Sequence, residues 1–508
     1  MKAAVFAVAA IALALVWCGA AQAADMNMKD GLWEITTKTE MKGMPGNIPP
    51  TVMKQCLTKK DSVPQQGDKG KNPNCKMTEN KISGNTVSWT SVCKEKDGTI
   101  ESKGQMTYKG DTFDGTMVTT MKDRGGKAQV ITSKMSGKRL GPATRNNQQE
   151  NTRTILKIKT RLTKKSKIKE VDFDNLEFGV DFSDHMYYVD FADGAWKEPR
   201  IEPYGPMKMY PALSTLHYGQ AVFEGLKAFL GVDGKVRLFR PDKNHERYNM
   251  SCERMCIPTL SWELWFEGMK KLIEVDREWI PGKRGCSLYI RPFIFATDNF
   301  LGVRVSYTYR FMIITSPVGA YYKEGLNPVK LITSGEFVRA VRGGLGAVKT
   351  PANYAASLYP GEVAKKKGFT QVLWLDGIEN RYIEEVGTMN IMFVIDGTIV
   401  TPPLEGSILP GVTRNSVISL AKHWGVPVEE RKITIDEVMA EAKSGRLQEV
   451  FGTGTAAVIS PVGWIQHNDD MVTIHSGEIG PMSQKLYDEI TAMQYGEKPD
   501  PFGWCITL

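Results

Sequence analysis

Long apolar segments and metal-ligand clusters are both scarce in this 508-residue chain. After the first 25 residues no run of 18 consecutive apolar residues occurs, so we predict no membrane-spanning helix beyond that point. Cysteine is sparse, with eight residues, and the pair Cys252 and Cys256 has no partner ligands at metal-site spacing, so we predict no metal. The composition is 42% apolar and 24% charged, which excludes a mainly disordered, collagen-like or coiled-coil chain.

Residues 1–23 have the pattern of a secretory signal peptide. Lys2 precedes the apolar run from Ala3 to Val16, and the triplet from Ala21 to Ala23 is an A-x-A cleavage site. A membrane anchor is the alternative, and the short, Ala-rich run disfavours it. We therefore predict cleavage after Ala23, with no membrane span left after signal removal.

The net charge of +8 is unevenly distributed along the chain. Residues 144–170 hold nine Lys or Arg against two acidic residues, whereas residues 171–508 hold 35 basic against 42 acidic residues. The basic excess therefore indicates nothing about the larger part of the protein, and we predict no nucleic-acid partner. A single basic run is most often a solvated segment, so residues 144–170 are interpreted as a flexible linker.

Residues 24–143 are predicted to form a small, mostly antiparallel β domain. Runs such as Gly31–Thr36, Thr86–Val92 and Gly104–Tyr108 alternate apolar and polar residues and are separated by turn residues. The domain has three cysteines, Cys56, Cys75 and Cys93, which fit one disulfide with one thiol left over. The opening Gly-Leu-Trp-Glu and the spaced cysteines resemble a family of small secreted bacterial proteins of unknown function.

Residues 171–508 are predicted to form a mixed α/β (α+β) enzyme body of two lobes. Buried strands are expected at Phe311–Thr315, Gln371–Leu375 and Ile391–Ile395, and a helix at Asn415–Trp424. A Pro/Gly break near Pro317 divides a small lobe, 171–318, from a large lobe, 319–508. A ligand site is expected between the lobes.

Several motifs of the body are compatible with a phosphate-bearing cofactor and a reactive lysine. Lys349 lies in a Gly-rich, otherwise apolar stretch, where desolvation favours Schiff-base chemistry. The Gly411–Arg414 stretch opens a helix whose free N–H groups suit a phosphate. Taken singly, each motif equally fits an ordinary role, such as a surface lysine or a helix start after a turn.

Seven motifs occur together in one order, and this order carries the assignment. They are LHYGQAVFEGLKA, RLFRPDKNHER, SLYIRP, KTPANY, EEVGTMN, ILPGVTR and FGTGTA. In this order they resemble the branched-chain amino-acid aminotransferases of the class IV pyridoxal-phosphate family, from about residue 170 to 508. The resemblance implies the class IV two-lobed fold, pyridoxal 5'-phosphate as cofactor, and a homodimer with its active site near the subunit interface.

The resemblance also implies residue roles. Lys349 would be the catalytic lysine that carries the cofactor and moves the proton. The other implied cofactor contacts are Arg247, Val412, Thr413 and Thr455 at the phosphate, Glu385 at the ring nitrogen, Tyr354 at the phenolic oxygen, and Thr388. The implied substrate contacts are Tyr218, Phe223 and Tyr289 around the side chain, Arg291 for the second carboxylate of glutamate, and Thr455 and Ala456 for the α-carboxylate.

The chain departs from the family pattern in two places. Pro351-Ala352 replaces the usual Gly-Gly pair after the lysine, which predicts a reshaped turn but does not indicate the effect on the rate. Ala457 and Ser460 occupy the positions of a Cys-x-x-Cys pair in some relatives, which excludes thiol regulation there.

The predicted function is transamination of L-Leu, L-Ile and L-Val with 2-oxoglutarate by a ping-pong mechanism. One alternative keeps the fold and changes the substrate, as in D-amino acid aminotransferases or aminodeoxychorismate lyases. An alternative of another class is a secreted binding protein with a catalytically dead body. The two halves indicate different compartments, since the signal peptide predicts export and the enzyme body predicts the cytoplasm.

Overall fold

The computed structural model describes residues 27–41, 51–57, 75–95, 98–123, 128–141, 156–319 and 326–508. The chain divides into two compact units, Met1–Ile155 and Leu156–Leu508. The predicted signal peptide and the first part of the predicted linker, up to residue 155, lie outside the described residues. No helix of the described ranges is long and apolar enough to cross a membrane.

The first unit is a seven-stranded antiparallel sheet, as the alternating pattern predicts. Its strands are β1 (Gly31–Met41), β2 (Thr51–Leu57), β3 (Cys75–Ser83), β4 (Thr86–Glu95), β5 (Gly98–Tyr108), β6 (Thr112–Asp123) and β7 (Ala128–Gly141). They are arranged in the order β2-β1-β7-β6-β5-β4-β3. Cys93 is disulfide-bonded and lies opposite Cys75 in the β3–β4 register, in agreement with the predicted disulfide.

One face of this sheet is apolar and packed. Its core contains Trp33, Trp89, Tyr108 and Phe113, each at most 6% exposed. Two glycines make room for these rings, because an added Cβ would lie 2.2 Å from the ring of Trp89 at Gly104 and 2.1 Å from that of Phe113 at Gly137. Both pairs face each other across neighbouring strands, so a missing side chain on one strand admits an aromatic ring from the next.

The second unit contains two further sheets, the first of which is mostly antiparallel. Its strands are β8 (Lys159–Thr160), β9 (His185–Ala192), β10 (Ala195–Trp196), β11 (Arg200–Pro203), β12 (Ala221–Phe223), β13 (Leu226–Leu230), β14 (Val236–Phe239), β15 (Ser287–Ala296) and β16 (Tyr309–Val318). Its helices are α1 (Ser214–Tyr218), α2 (Pro241–Arg254) and α3 (Trp262–Val275). On α3, Trp265 and Met269 are fully buried in the core of this sheet.

The second sheet of this unit mixes parallel and antiparallel pairs. Its strands are β17 (Val329–Thr333), β18 (Gln371–Leu375), β19 (Ile383–Val386), β20 (Met389–Ile395), β21 (Thr398–Thr401), β22 (Val428–Glu430), β23 (Leu447–Gly454), β24 (Val458–His467) and β25 (Asp470–Thr473). Its helices are α4 (Pro351–Lys366), α5 (Val412–His423), α6 (Ile435–Ser444) and α7 (Pro481–Gln494). The pairing β19–β18–β17–β24–β23–β20 closes on itself, because β20 also pairs with β19.

The two-lobe prediction needs one correction at the C-terminus. The last strand, β26 (Cys505–Thr507), pairs with β14 and so belongs to the first sheet of the unit, not to the predicted large lobe. The chain therefore crosses between the two sheets twice, near residue 319 and again after α7. Hydrophobic pattern alone does not show which sheet a three-residue strand joins.

The prediction of a flexible linker over 144–170 is wrong for its second part. Residues 156–170 belong to the second unit, where β8 pairs in parallel with β11. The backbone N–H of Thr163 donates to Nε2 of buried His185, and Ser166 donates to Asp184. The basic side chains of this segment are exposed to solvent, while its backbone is hydrogen-bonded to the second unit. The number of charges therefore did not indicate that the segment is folded.

Candidate active site

A cleft with an empty volume of about 860 Å³, counting its opening, lies within the second unit. Residues of both of its sheets line the cleft, together with α2, the segment before α4 and the first turn of α5. Twelve of the thirteen predicted site residues lie there: Phe223, Arg247, Tyr289, Arg291, Lys349, Tyr354, Glu385, Thr388, Val412, Thr413, Thr455 and Ala456. The motifs, which are far apart in the chain, are thus brought to one place.

Lys349 lies at the cleft, two residues before α4. Its Nζ donates to the hydroxyl of Tyr354 at 2.8 Å and lies 4.9 Å from the ring centre of Phe223. Its backbone N–H donates to Ser251 on α2, and its carbonyl accepts from the N–H of Phe223. The main chain is therefore anchored on both sides, and the amine is left at the cleft with a phenol as its partner.

Pro351, which replaces a glycine of the family pattern, is the first residue of α4. Proline suits this position, because its φ is already helical and the N–H it lacks would have no intrahelical partner. The helix therefore begins directly after Thr350.

Glu385 lies on β19 and is only 3% exposed. Its Oε1 accepts from Asn390 at 3.0 Å and from the N–H of Leu409 at 3.2 Å, and its Oε2 lies 2.5 Å from Nε of Arg339. Burial raises the pKa of Glu385 to about 7, although the guanidinium of Arg339 opposes the rise. The cleft therefore contains a carboxyl group whose charge state is sensitive near neutral pH.

Arg247 enters the cleft from α2 and is paired with Glu224. Its Nε and one terminal nitrogen donate to the two carboxylate oxygens of Glu224 at 2.7 and 2.8 Å, and its other terminal nitrogen donates to the carbonyl of Pro410. Burial alone would lower the pKa of Arg247 and raise that of Glu224, but their mutual attraction outweighs it, so the shifts are reversed. Both groups are therefore held in their charged forms.

The first turn of α5 provides backbone donors at the cleft. The helix begins at Val412 and has no side-chain cap at Gly411. The N–H groups of its first turn have no intrahelical acceptor, and the helix dipole makes this end favourable for an anion. A Cβ at Gly411 would lie 1.9 Å from Oδ1 of Asn390, so only glycine lets the chain pass there.

The turn between β23 and β24 forms another wall of the cleft. Thr455 and Ala456 lie in it, between Gly454 and Ala457. The carbonyl of Ala456 accepts from Nζ of buried Lys227 at 2.7 Å, and burial lowers the pKa of Lys227 to about 8. The hydrogen bond from Lys227, which does not line the cleft, therefore fixes this turn.

Aromatic rings and one arginine form the remaining wall. Arg291 donates to the hydroxyl of Tyr289 at 3.1 Å and stacks over Phe223 at 4.9 Å. Phe178, which the sequence reading did not select, contacts Tyr289 edge-on at 4.9 Å. This wall of the cleft is therefore mostly aromatic and contains one cation.

Tyr218 is the one predicted site residue that does not line this cleft. It ends α1, is 46% exposed, and donates its hydroxyl to the carbonyl of Leu301. The structure therefore does not bring Tyr218 to the cleft within one copy of the chain.

Sequence reasoning missed Glu224, Arg339 and Asn390, which hold the predicted residues in place. Glu224 and Asn390 are members of the quoted motifs and interrupt apolar runs, a pattern that indicates a buried, paired polar group. Arg339 lies ten residues before Lys349, outside every motif, and no sequence signal marked it. Within the described ranges no cluster of three or more His, Cys, Asp or Glu residues could hold a metal ion.

Comparison with protein families finds two matches on this chain. The family described as amino-transferase class IV matches residues 221–465, and a protein family of unknown function, DUF3617, matches residues 28–143. Both lie where the sequence predicts an enzyme body and a small β domain.

Curated relatives match the second unit at high identity. The branched-chain-amino-acid aminotransferase 2 of Bacillus subtilis is 56% identical over 354 residues, covering 70% of this chain and 97% of that protein. The branched-chain-amino-acid aminotransferase of Mycolicibacterium smegmatis is 45% identical over 347 residues, covering 67% of this chain and 94% of that protein.

Solved structures agree with these matches. The crystal structure of the Escherichia coli branched-chain amino acid aminotransferase aligns with a TM-score of 0.54 at 28% identity, covering 63% of this chain and 98% of that one. A branched-chain amino acid aminotransferase from the organism abbreviated T.th., solved with pyridoxamine 5'-phosphate, aligns with a TM-score of 0.52 at 28% identity, covering 63% of this chain and 97% of that one.

Proposed function

The chain belongs to the class IV aminotransferases, and we propose on this premise that its second unit is a branched-chain amino-acid transaminase. It passes the amino group of L-Leu, L-Ile or L-Val to 2-oxoglutarate, yielding a branched 2-oxo acid and L-Glu. The single observation that carries this proposal is the convergence of Lys349, Glu385 and Arg247 on one cleft whose far wall is aromatic. The cofactor is pyridoxal 5'-phosphate.

The residues of the cleft fit this cofactor. The Nε of Arg291 and the Oγ1 of Thr453 are buried without a hydrogen-bond partner among the described residues, so the wall has polar capacity left for a ligand. The glycine at position 411 and the free N–H groups beside it suit a phosphate, and the amine of Lys349 suits an aldehyde carbon.

We propose that seven residues besides Lys349 bind the cofactor. Arg247 and the first turn of α5 at Val412 and Thr413, with Thr455, hold its phosphate, and Thr388 supports it. Glu385 pairs with the ring nitrogen, and Tyr354 contacts the phenolic oxygen. When bound, the protonated pyridine ring supplies an acceptor for the electrons of the substrate Cα–H bond.

Lys349 is the general base of the proposed mechanism. Its Nζ takes the proton from the substrate Cα and would deliver it to the former aldehyde carbon of the cofactor, so the amine must be neutral and mobile when the proton moves. The nearby Tyr354 hydroxyl gives the amine a fixed starting position at 2.8 Å. The second half-reaction, with 2-oxoglutarate, uses the same proton transfer in reverse order.

Two parts of the cleft select the substrate: one binds its α-carboxylate and the other binds its side chain. The backbone at Thr455 and Ala456 binds the α-carboxylate, which both substrates share. Phe223 and Tyr289 pack on a branched side chain, while Arg291, stacked between the same rings, binds the second carboxylate of glutamate. One pocket thus accepts an apolar chain and a carboxylate in turn.

Initial rates with L-Leu, D-Ala and aminodeoxychorismate test this function against the two enzyme alternatives. We expect 2-oxoglutarate-dependent turnover of L-Leu to exceed both others, and D-Ala as the best substrate would contradict the proposal. A secreted binding protein with a dead body is distinguished by the cofactor absorbance band. That band should be present in the wild type and lost in Lys349→Ala.

We also propose that the second unit works as a homodimer. Tyr218 lies outside its own cleft, in a region of exposed apolar residues that includes Leu216, Leu301, Val303 and Tyr307, which are 58–83% exposed. A second copy of the chain packed on this surface would bury these apolar residues, and Tyr218 could then contribute to the cleft of that copy. Light scattering on a protein that starts at Leu156, the first residue of the second unit, tests this, and a fully active monomer would contradict it.

The organisation of the whole chain remains our proposal. The chain joins a signal peptide of residues 1–23, a β domain of unknown role over 24–143 and an enzyme body. The signal peptide predicts export, whereas the enzyme body predicts the cytoplasm. Intact-mass spectrometry of the native protein tests this organisation. We expect one species that begins at Ala24 and includes both units, and two separate chains would contradict it.

A further inference from the structure

A buried arginine outside the sequence motifs lies behind Glu385. Arg339 comes from the segment between β17 and Lys349, and its side chain is 7% exposed against 4% for Glu385. Its Nε lies 2.5 Å from Oε2 of Glu385. The two charges are therefore in contact, away from water, and their attraction is little screened.

A second buried carboxyl group, next in the chain, is also affected by the charge of Arg339. Glu384, next to Glu385 on β19, is 8% exposed, accepts from the hydroxyl of Ser407, and has one oxygen with no partner among the described residues. Burial raises the pKa of Glu384, and the charge of Glu384 in turn contributes to raising that of Glu385. The charge of Arg339 thus opposes the rise in the pKa of both carboxyl groups, although it is in contact with Glu385.

The proposed reaction requires the charge to lie on Glu385. A carboxyl group at 3% exposure, beside another carboxyl, would be neutral at physiological pH without a contact cation. A neutral Glu385 would not keep a ring nitrogen protonated. Besides Arg339 and Glu384, the charged group that affects Glu385 is Lys349, across the cleft.

We propose that Arg339 is a positioning residue that favours the ionised form of Glu385 and holds its carboxylate in place, so that Glu385 can pair with the ring nitrogen of the cofactor. This rests on the proposed function. The competing interpretation is purely structural, since Arg339 also donates to the carbonyls of Gly346 and Ser407. An electrostatic role and a structural role differ in their dependence on pH.

The test measures the dissociation constant of pyridoxal 5'-phosphate for the apo protein, by quenching of tryptophan fluorescence, across about pH 6 to 9. Arg339→Met is expected to weaken binding about tenfold or more at neutral pH. The ratio of its dissociation constant to that of the wild type should fall as pH rises, because Glu385 then ionises without help. Arg342→Met, an exposed arginine of the same segment, is the matched control and should bind like the wild type.

A second variant keeps Arg339 and the fold intact. Glu384→Gln can still accept from Ser407 but removes the neighbouring charge, so it should bind the cofactor more tightly than the wild type at about pH 6. Weaker binding by this variant would contradict the proposal. So would a loss in Arg339→Met that is the same at every pH, or no loss at all.

The binding experiment distinguishes failure of the proposed function from failure of the proposed role of Arg339. A wild-type protein that does not bind pyridoxal 5'-phosphate overturns the function itself. A wild type that binds while Arg339→Met binds equally well overturns only the role of Arg339.

Discussion

The two units contain similar strands but use their buried polar groups differently. In the described part of the first unit the buried polar residues are Thr119 and Ser133, and the core is aromatic and aliphatic. The second unit buries charged residues such as Glu224, Arg247 and Glu385, and all the unpaired buried polar atoms of the described ranges lie in it. A sheet selected for stability satisfies its polar groups, whereas a site retains unsatisfied groups that a ligand can pair with.

Removal of the Lys349 amine should have the largest effect on activity, with almost no effect on stability. Lys349→Ala is expected to lose at least about 10³-fold in kcat, because both the cofactor attachment and the general base disappear. Its unfolding temperature without cofactor should stay close to that of the wild type, since the side chain is only half-buried. A coupled glutamate assay and calorimetry measure the two quantities, and Lys365→Ala on the exposed end of α4 is the control. Residual activity near the wild-type level would remove Lys349 from the mechanism.

Breaking the Glu224–Arg247 pair should cost the second unit more stability than any surface change. Arg247→Met leaves an unpaired buried carboxylate, with an expected loss of about 3–5 kcal/mol in the free energy of unfolding. The double variant Glu224→Gln with Arg247→Met should recover part of it, because no charge is then left unpaired. Urea unfolding of the second unit measures this. A double variant as unstable as the single one would show that packing and not charge is responsible.

Stability of the apo second unit should depend on pH through Glu385. Its folded pKa of about 7 lies above its ordinary value of 4.5, so the protonated form is favoured in the fold. The stabilising contribution is therefore complete below about pH 4.5 and is lost as pH rises to about 7, with a size of about 3 kcal/mol. The difference in unfolding free energy between wild type and Glu385→Gln, measured across this range, isolates the effect. A difference that does not change with pH would contradict the raised pKa.

Overpacking should affect the first unit without changing the enzyme. Gly104→Val places a side chain where the ring of Trp89 lies, with an expected loss of about 1–3 kcal/mol. Gly141→Ala is the matched control, because no atom lies within 4 Å of its added Cβ. Fluorescence-detected unfolding measures the loss, and kcat of the same protein should not change. A change in kcat would show that the two units are coupled.

The smallest expected effect concerns an unpaired hydroxyl at the cleft. Thr453→Val removes an Oγ1 that has no partner among the described residues and should stabilise the apo protein by about 1 kcal/mol. The same change should weaken cofactor or substrate binding if this hydroxyl is kept for a ligand. Thermal unfolding of the apo protein together with cofactor titration tests both, and a destabilised variant would show that the hydroxyl is paired in the protein.

Much of the fold could be read from local pattern. The strand predicted at Gln371–Leu375 is β18, residue for residue, and the helix predicted at Asn415–Trp424 lies within three residues of α5 at each end. Both segments have strong periodicity and clear stop signals. Chemistry-bearing residues such as Lys349 and Glu385 were found because each lies in a recognisable motif.

Other features required contacts between distant segments. The attachment of residues 156–170 depends on backbone hydrogen bonds to His185 and Asp184, which a run of lysines does not indicate. Cys252 is buried whereas Cys256 is exposed, because α2 ends at Arg254, between the two cysteines. Tyr218 lies in an aromatic motif that predicted a pocket residue, but its side chain is exposed and lies outside the cleft of its own chain.

The sequence by itself determined the division into a β domain and an enzyme body and the family of the enzyme, and it singled out Lys349 as the proposed reactive lysine. These depend on residue type, spacing and periodicity, which are properties of short segments. Only the tertiary structure decided which charges meet. Arg339 with Glu385, Glu224 with Arg247 and Lys227 with the Ala456 carbonyl join segments 23 to 229 residues apart. The charge state of a buried group depends on its nearest neighbours and its distance from water, and both exist only once the chain has folded.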